Sequence, residues 1–161
     1  MNRKVRTFLP LLAIAGVLAA APAGAQSNAG DQPVMFGANT GEYRANGFAL
    51  RGAAEVLQGD NRLRADAIDG TSSDGALQRV EASGNVYFVT PTQTIRGDRA
   101  VYTLGNGDVV VSGDVVMTQG RNVLTGGRLV YNVRTEQARM EGAPRAGSGS
   151  RIQGVLYPSG D

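Results

Sequence analysis

A short block recurs three times along the middle of this chain, in a stretch where alternation at period two is common. One copy begins Ser83-Gly84-Asn85-Val86-Tyr87-Phe88 and the next begins Ser112-Gly113-Asp114-Val115-Val116-Met117. A more divergent copy begins Arg51-Gly52-Ala53-Ala54-Glu55-Val56. Each is followed by a second block: Leu63-Arg64-Ala65-Asp66-Ala67-Ile68, then Ile95-Arg96-Gly97-Asp98-Arg99-Ala100-Val101-Tyr102, then Leu124-Thr125-Gly126-Gly127-Arg128-Leu129-Val130-Tyr131. Gly52 and Gly84 are 32 residues apart, Gly84 and Gly113 are 29 apart, and the second blocks keep these offsets. Such self-similarity demands a stacked or rolled β architecture built from one hairpin unit. No segment carries a sustained apolar i, i+3, i+4 stripe, so helical layers are excluded.

Turn residues divide the alternating runs. Gly59-Asp60-Asn61, Thr71-Ser72-Ser73-Asp74-Gly75, Thr90-Pro91-Thr92, Gly105-Asn106-Gly107 and Gly120-Arg121-Asn122 all fall between them. The pattern predicts strands over 41–45, 47–58, 61–69, 76–90, 93–104, 107–119, 121–133, 136–141 and 152–157. Inside the second block the parity changes: Ile95 and Gly97 share one face, yet Ala100 and Tyr102 must join it. A β-bulge at Gly97-Asp98, repeated at Gly126-Gly127, restores the apolar set to one side and bends the strand. Residues 143–150 (Ala-Pro-Arg-Ala-Gly-Ser-Gly-Ser) read as a flexible connector.

The N-terminus has the form of a secretory signal peptide. Arg3, Lys4 and Arg6 precede an apolar run over 8–21, and Ala23-Gly24-Ala25 supplies a small-x-small cleavage site. That run falls short of the roughly 20 residues a membrane-spanning helix needs. The expected organisation is a cleaved segment over 1–25, a loose leader over 26–33 and one β domain over 34–157. The charge then changes sign. Removing Arg3, Lys4 and Arg6 from sixteen cations leaves thirteen against fourteen acids, a formal charge of −1 in place of +2. A nucleic-acid partner requires clustered positive charge and is not supported.

The chain contains no Cys, His or Trp. Disulfide staples, the usual zinc, copper and haem ligand sets, and Ser-His or Cys-His nucleophile pairs are therefore ruled out. No cofactor or metal is expected. Carboxylate chemistry is the one catalytic class left. Asp66, Asp98 and Asp114 are its candidates, but Gly127 stands where the third copy would need the counterpart of Asp98, and all three suit turn or bulge roles.

The inward positions are Val56, Leu63, Ile68, Val80, Val86, Phe88, Ile95, Ala100, Tyr102, Val109, Val111, Val115, Met117, Leu124, Leu129, Tyr131, Val133 and Met140. They form either a sealed core or a partly open roll that takes a lipid chain, with Gly97, Ala100 and Gly126 leaving room. Pattern alone does not separate the two.

The ordered series of blocks resembles the OstA-like family of periplasmic lipopolysaccharide-transport proteins, the LptA type, over about residues 34–141. The resemblance implies an all-β, twisted open β-jellyroll of antiparallel strands with an apolar interior groove, and no catalysis. Lipopolysaccharide acyl chains (those of lipid A) would be shielded in the groove while the protein bridges inner and outer membrane. On this reading Val86, Phe88, Ile95, Tyr102, Val115, Met117, Leu124 and Tyr131 line the path. The implied partners are LptC-like inner-membrane and LptD-like outer-membrane domains, joined by edge-strand pairing, and further copies of the chain head to tail. Segments 41–50 and 152–157 are the expected docking edges. Arg96, Arg99, Arg121 and Arg128 are candidates for lipid phosphates, against the plainer reading of surface arginines paired with Asp98 or Asp114. The competing classes are a secreted structural or adhesive β-repeat protein without lipid cargo, and a carbohydrate-active β-solenoid enzyme.

Overall fold

The computed structural model describes residues 32–142 and 151–158; the expected signal peptide, most of the leader and the expected connector lie outside them. Ten strands follow one another: β1 (Val34–Gly37), β2 (Thr40–Arg44), β3 (Gly47–Gln58), β4 (Asn61–Ser73), β5 (Ala76–Val89), β6 (Thr94–Thr103), β7 (Asp108–Gln119), β8 (Asn122–Asn132), β9 (Ala138–Glu141) and β10 (Gln153–Val155). All join one antiparallel sheet in which β3 to β8 are neighbours in chain order. Each outer long strand carries two short ones end to end. β2 covers the first half of β3 and β1 the second half, while β10 covers the first half of β8 and β9 the second.

The hairpin turns follow from local chemistry. Asp74-Gly75 has positive φ at both positions (52° and 76°), the type I′ pattern that matches strand twist. It lets β4 run to Ser73 rather than ending at 69 as the loop-like composition of 71–75 suggests.

Each long strand is bent at its middle. Between β3 and β4, Gly52-Ala53 oppose Asp66; between β5 and β6, Gly84-Asn85 oppose Asp98; between β7 and β8, Gly113-Asp114 oppose Gly127. Both members of every pair have positive φ, from 39° to 80°. The extra residue therefore sits in the first block of each repeat and not at Gly97-Asp98 or Gly126-Gly127, which corrects the sequence expectation. The parity change in the second block is real: Asp98 and Arg99 are both exposed between buried Gly97 and Ala100. Gly84 is required twice over, because its φ is +75° and a Cβ there would collide with the Asp66 carboxylate; Gly113 stands in the same relation to Asp98.

The bulges line up across the sheet and fold it along that line, as bulges increase bend and twist. Each long strand thus contributes one half to each of two layers. One layer ends in a lip of turns at 59–60, 90–93 and 120–121; the other ends in turns at 45–46, 74–75, 104–107 and 133–137. Contacts between strands that are not sheet neighbours prove the closure. The Tyr102 hydroxyl (β6) donates to Gln58 Oε1 (β3) at 2.9 Å, and the Phe88 (β5) and Tyr131 (β8) rings lie 5.8 Å apart. This is the rolled β architecture expected from the repeats and the open, twisted all-β jellyroll implied by the family resemblance.

The core fills the seam between the layers, and every expected inward residue belongs to it or packs on it. Phe48, Leu50, Ala54, Ala65 and Ala82 complete it. Strand β1 has no counterpart among the expected strands, which begin at 41. Its Val-Met-Phe-Gly sequence shows no alternation, and only pairing with Glu55–Gln58 makes it a strand. The expected edge over 41–50 is also corrected: 47–50 belong to β3, enclosed between β2 and β4, and the outer strands there are β1 and β2.

Candidate functional site: the seam between the two layers

The eight residues expected to line a lipid path all point into the seam, because each occupies the inward parity of its half-strand. Val86, Ile95 and Val115 are fully enclosed, and Phe88, Met117 and Tyr131 nearly so; Tyr102 and Leu124 are half-buried. They do not share one free space. Only Phe88 and Tyr102 border the apolar cavity in the seam, with Val34, Val56, Gln58, Asn61, Leu63, Leu77, Val80, Leu104, Val109 and Val133. That cavity measures about 20 Å³, room for roughly one water. The layers are closed on each other.

Among the described residues, Gly97 and Gly126 leave no open room beside them. A Cβ on Gly97 would stand 2.5 Å from Val111 Cγ1, and one on Gly126 would stand 2.6 Å from the Glu141 carbonyl and 2.7 Å from Met140. Their role is to let neighbouring groups close over the backbone, which corrects the expectation that they provide room.

Above the cavity, between the two lips, lies a polar bowl of about 360 Å³. It is lined by Gln32, Gly59, Asp60, Asn61, Thr90, Pro91, Tyr131, Val133 and Glu136. Asn61 and Val133 line both spaces, so the wet bowl and the dry seam meet at one place. Burial pushes the Tyr131 phenol above its ordinary 10.0; a hydrogen bond with Thr90 pulls it back and Glu136 adds to the rise. Burial likewise raises Tyr102, against the attraction of Arg134. Gln58, 5% exposed, is the buried polar side chain of the seam that sequence reasoning missed. Its signal was present, since it follows Ala54 and Val56 at inward parity, but a glutamine there does not register in an apolar pattern.

The charged candidates lie outside the seam. Asp66 accepts from Asn85 Nδ2 at 2.9 Å, and the carboxylates of Asp66 and Asp98 each pack against a bulge glycine. Arg128 pairs with Glu141 at 3.3 Å, and Arg121 lies 4.2 Å over the Tyr157 ring. Arg96 and Arg99 are exposed, and among the described residues no ion pair joins either to Asp98 or Asp114. Both outer edges expose large apolar side chains: Met35, Phe36 and Tyr43 on β1 and β2, and Ile152, Val155, Leu156 and Tyr157 on and around β10. No helix among the described residues is long and apolar enough to cross a membrane.

Residues 38–137 match the family described as LptA/(LptD N-terminal domain) LPS transport protein. The chain belongs to this family. An uncharacterized protein of Rhizobium meliloti (strain 1021) is 26% identical over 140 residues, covering 80% of this chain and 73% of that protein. Among solved structures, LptH of Pseudomonas aeruginosa, described as the LptA homologous periplasmic component of the conserved lipopolysaccharide transport device, superposes with a TM-score of 0.72. It is 20% identical, and the match covers 82% of this chain and 100% of that one. The likeness to LptH establishes the fold. Membership of the family makes this a lipopolysaccharide-transport protein and not an enzyme.

Proposed function

We propose that this chain is a periplasmic carrier that holds lipopolysaccharide acyl chains in the seam between its two layers and passes them along a row of like domains. The observation that carries this reading is the seam itself, an apolar strip running from the β1–β2 edge to the β9–β10 edge under a polar lip. Acyl chains cannot cross water bare, since each exposed CH₂ costs about 0.8 kcal/mol. Non-directional apolar contact shields them without fixing them at one point. Val86, Phe88, Ile95, Tyr102, Val115, Met117, Leu124 and Tyr131 are the proposed lining. Loading requires the lips to part, because the apolar cavity as it stands has room for roughly one water.

The two edges supply the proposed docking. Unpaired strand edges recruit further strands by main-chain hydrogen bonds. LptC-like and LptD-like domains and further copies of this chain are the proposed partners, which places the protein as a bridge between the two membranes.

The test is photo-crosslinking in cells. A crosslinking side chain at Phe88 or Met117 is expected to label lipopolysaccharide, and one at outward Tyr87 or Val116 is not. Labelling only from the outward pair would overturn the assignment. Absence of lipid from the purified protein by mass spectrometry, together with no labelling from any position, would favour an adhesive or structural role.

A further inference from the structure

One buried amide is among the side chains that tie the two walls of the seam together. Gln58 ends β3 on one lip. It accepts from the Tyr102 hydroxyl of the opposite layer at 2.9 Å, and its Nε2 donates to the Gln32 carbonyl at 3.3 Å. An apolar residue would fill the same inward position without needing polar partners, whereas a buried amide must keep them or reach water. Here water is close. Asn61 lines the polar bowl and the dry cavity alike, and so does Val133 from the other lip. When the lips part, the amide and the phenol can exchange each other for water in the bowl. Breaking the pair therefore strands no polar group, which is the property a reversible closure needs.

We propose that this place is a lateral port. An acyl chain enters the seam sideways between Asn61 and Val133, and the Gln58–Tyr102 hydrogen bond is the clasp that opens to admit it. The inference rests on the reading that the seam takes acyl chains, and adds where and how they enter. The bowl also defines what remains outside. Its polar side chains are two carboxylates, two amides, a hydroxyl and a phenol, with no arginine among its lining residues. That set accepts and donates to sugar hydroxyls, while its two carboxylates, with no cation beside them, disfavour a phosphate. The occupant is thus the acyl chain of a glycolipid with an uncharged sugar face turned into the bowl, any phosphates being directed away to solvent.

The test follows uptake of pyrene-labelled palmitate by stopped-flow fluorescence, using the whole secreted chain. Tyr102→Phe keeps the ring and removes the clasp. Its association rate is expected to rise roughly two- to tenfold, the factor for one net hydrogen bond. The chain has no cysteine of its own, so Asn61→Cys with Val133→Cys can be linked across the lips by a reducible bis-maleimide. The linked protein is expected to lose uptake and regain it on reduction. An unchanged rate in Tyr102→Phe, or full-rate uptake by the linked protein, overturns the port. Wild-type protein that takes up no probe at all overturns the carrier reading and the port together, so the two failures are distinguishable.

Discussion

Individual residues in this fold are constrained by space more than by charge. Gly97 shows this most directly. Its missing side chain is the site where Val111 Cγ1 and the Ser112 carbonyl close over the backbone, at 2.5 Å and 3.1 Å from a would-be Cβ. Gly97→Val must push the two strands apart and is expected to cost about 1–3 kcal/mol, as overpacking does, read from the urea midpoint. Phe88 is the opposite case. It is 4% exposed and meets Tyr131 across the layers. Phe88→Ala is expected to lose about 3–5 kcal/mol and to enlarge the cavity that Phe88 borders. Titration follows from burial as well. Folding raises the phenols of Tyr102 and Tyr131 above 10.0. An acid whose pKa rises on folding loses its proton first in the unfolded chain, so the folded protein binds more protons above that value. Stability from this source is intact below about pH 10 and falls as pH climbs further. Urea midpoints taken across that range are expected to drop in the wild type and to drop less steeply in Tyr131→Phe.

The recurring element is a bent hairpin, and in two of its three copies an acid from the neighbouring strand packs against the bulge. Asp66 serves Gly84-Asn85 and Asp98 serves Gly113-Asp114. Asp66→Ala is expected to cost about 0.5–1.5 kcal/mol, the net worth of one exposed hydrogen bond. A larger loss, measured by urea unfolding, would mean that the carboxylate also satisfies bulge amides. The same element shows what a sequence reveals. Strand identity was legible because period two holds on either side of each bulge, and the eight inward residues were legible because inward parity does not depend on register with a partner. The seat of the bulge was not. Two consecutive outward residues, Asp98 and Arg99, mark the parity change in one strand, while the inserted backbone lies in the next, visible only through pairing. Strand β1 was hidden for a related reason, since half of β3 defines it. Gln58 was hidden because its partners, Tyr102 and Gln32, come from another layer and from the start of the domain.

At the scale of the molecule, the two ends of the sheet have the same construction, a long strand capped by two short ones with apolar side chains exposed. They differ in sequence, so pairing one end with the other is heterologous, and it grows as an open row wherever its rotation does not close a ring. Size-exclusion chromatography with light scattering is therefore expected to show assemblies that lengthen with concentration rather than a fixed dimer. Charges block strand edges. Met35→Asp with Tyr43→Asp blocks one end, and Val155→Asp with Leu156→Asp blocks the other. These side chains are exposed, so each change is expected to leave stability within about 0.5 kcal/mol per site. Each variant alone is expected to stop at the monomer. A mixture of the two retains one intact end of each kind and is expected to form a one-to-one pair that grows no further. Like-with-like pairing makes the opposite forecast: a variant blocked at one end would still dimerise through its other end, and mixing would add nothing. Finding dimers in either variant alone would exclude a head-to-tail row, and with it the continuous seam that carriage between neighbours needs.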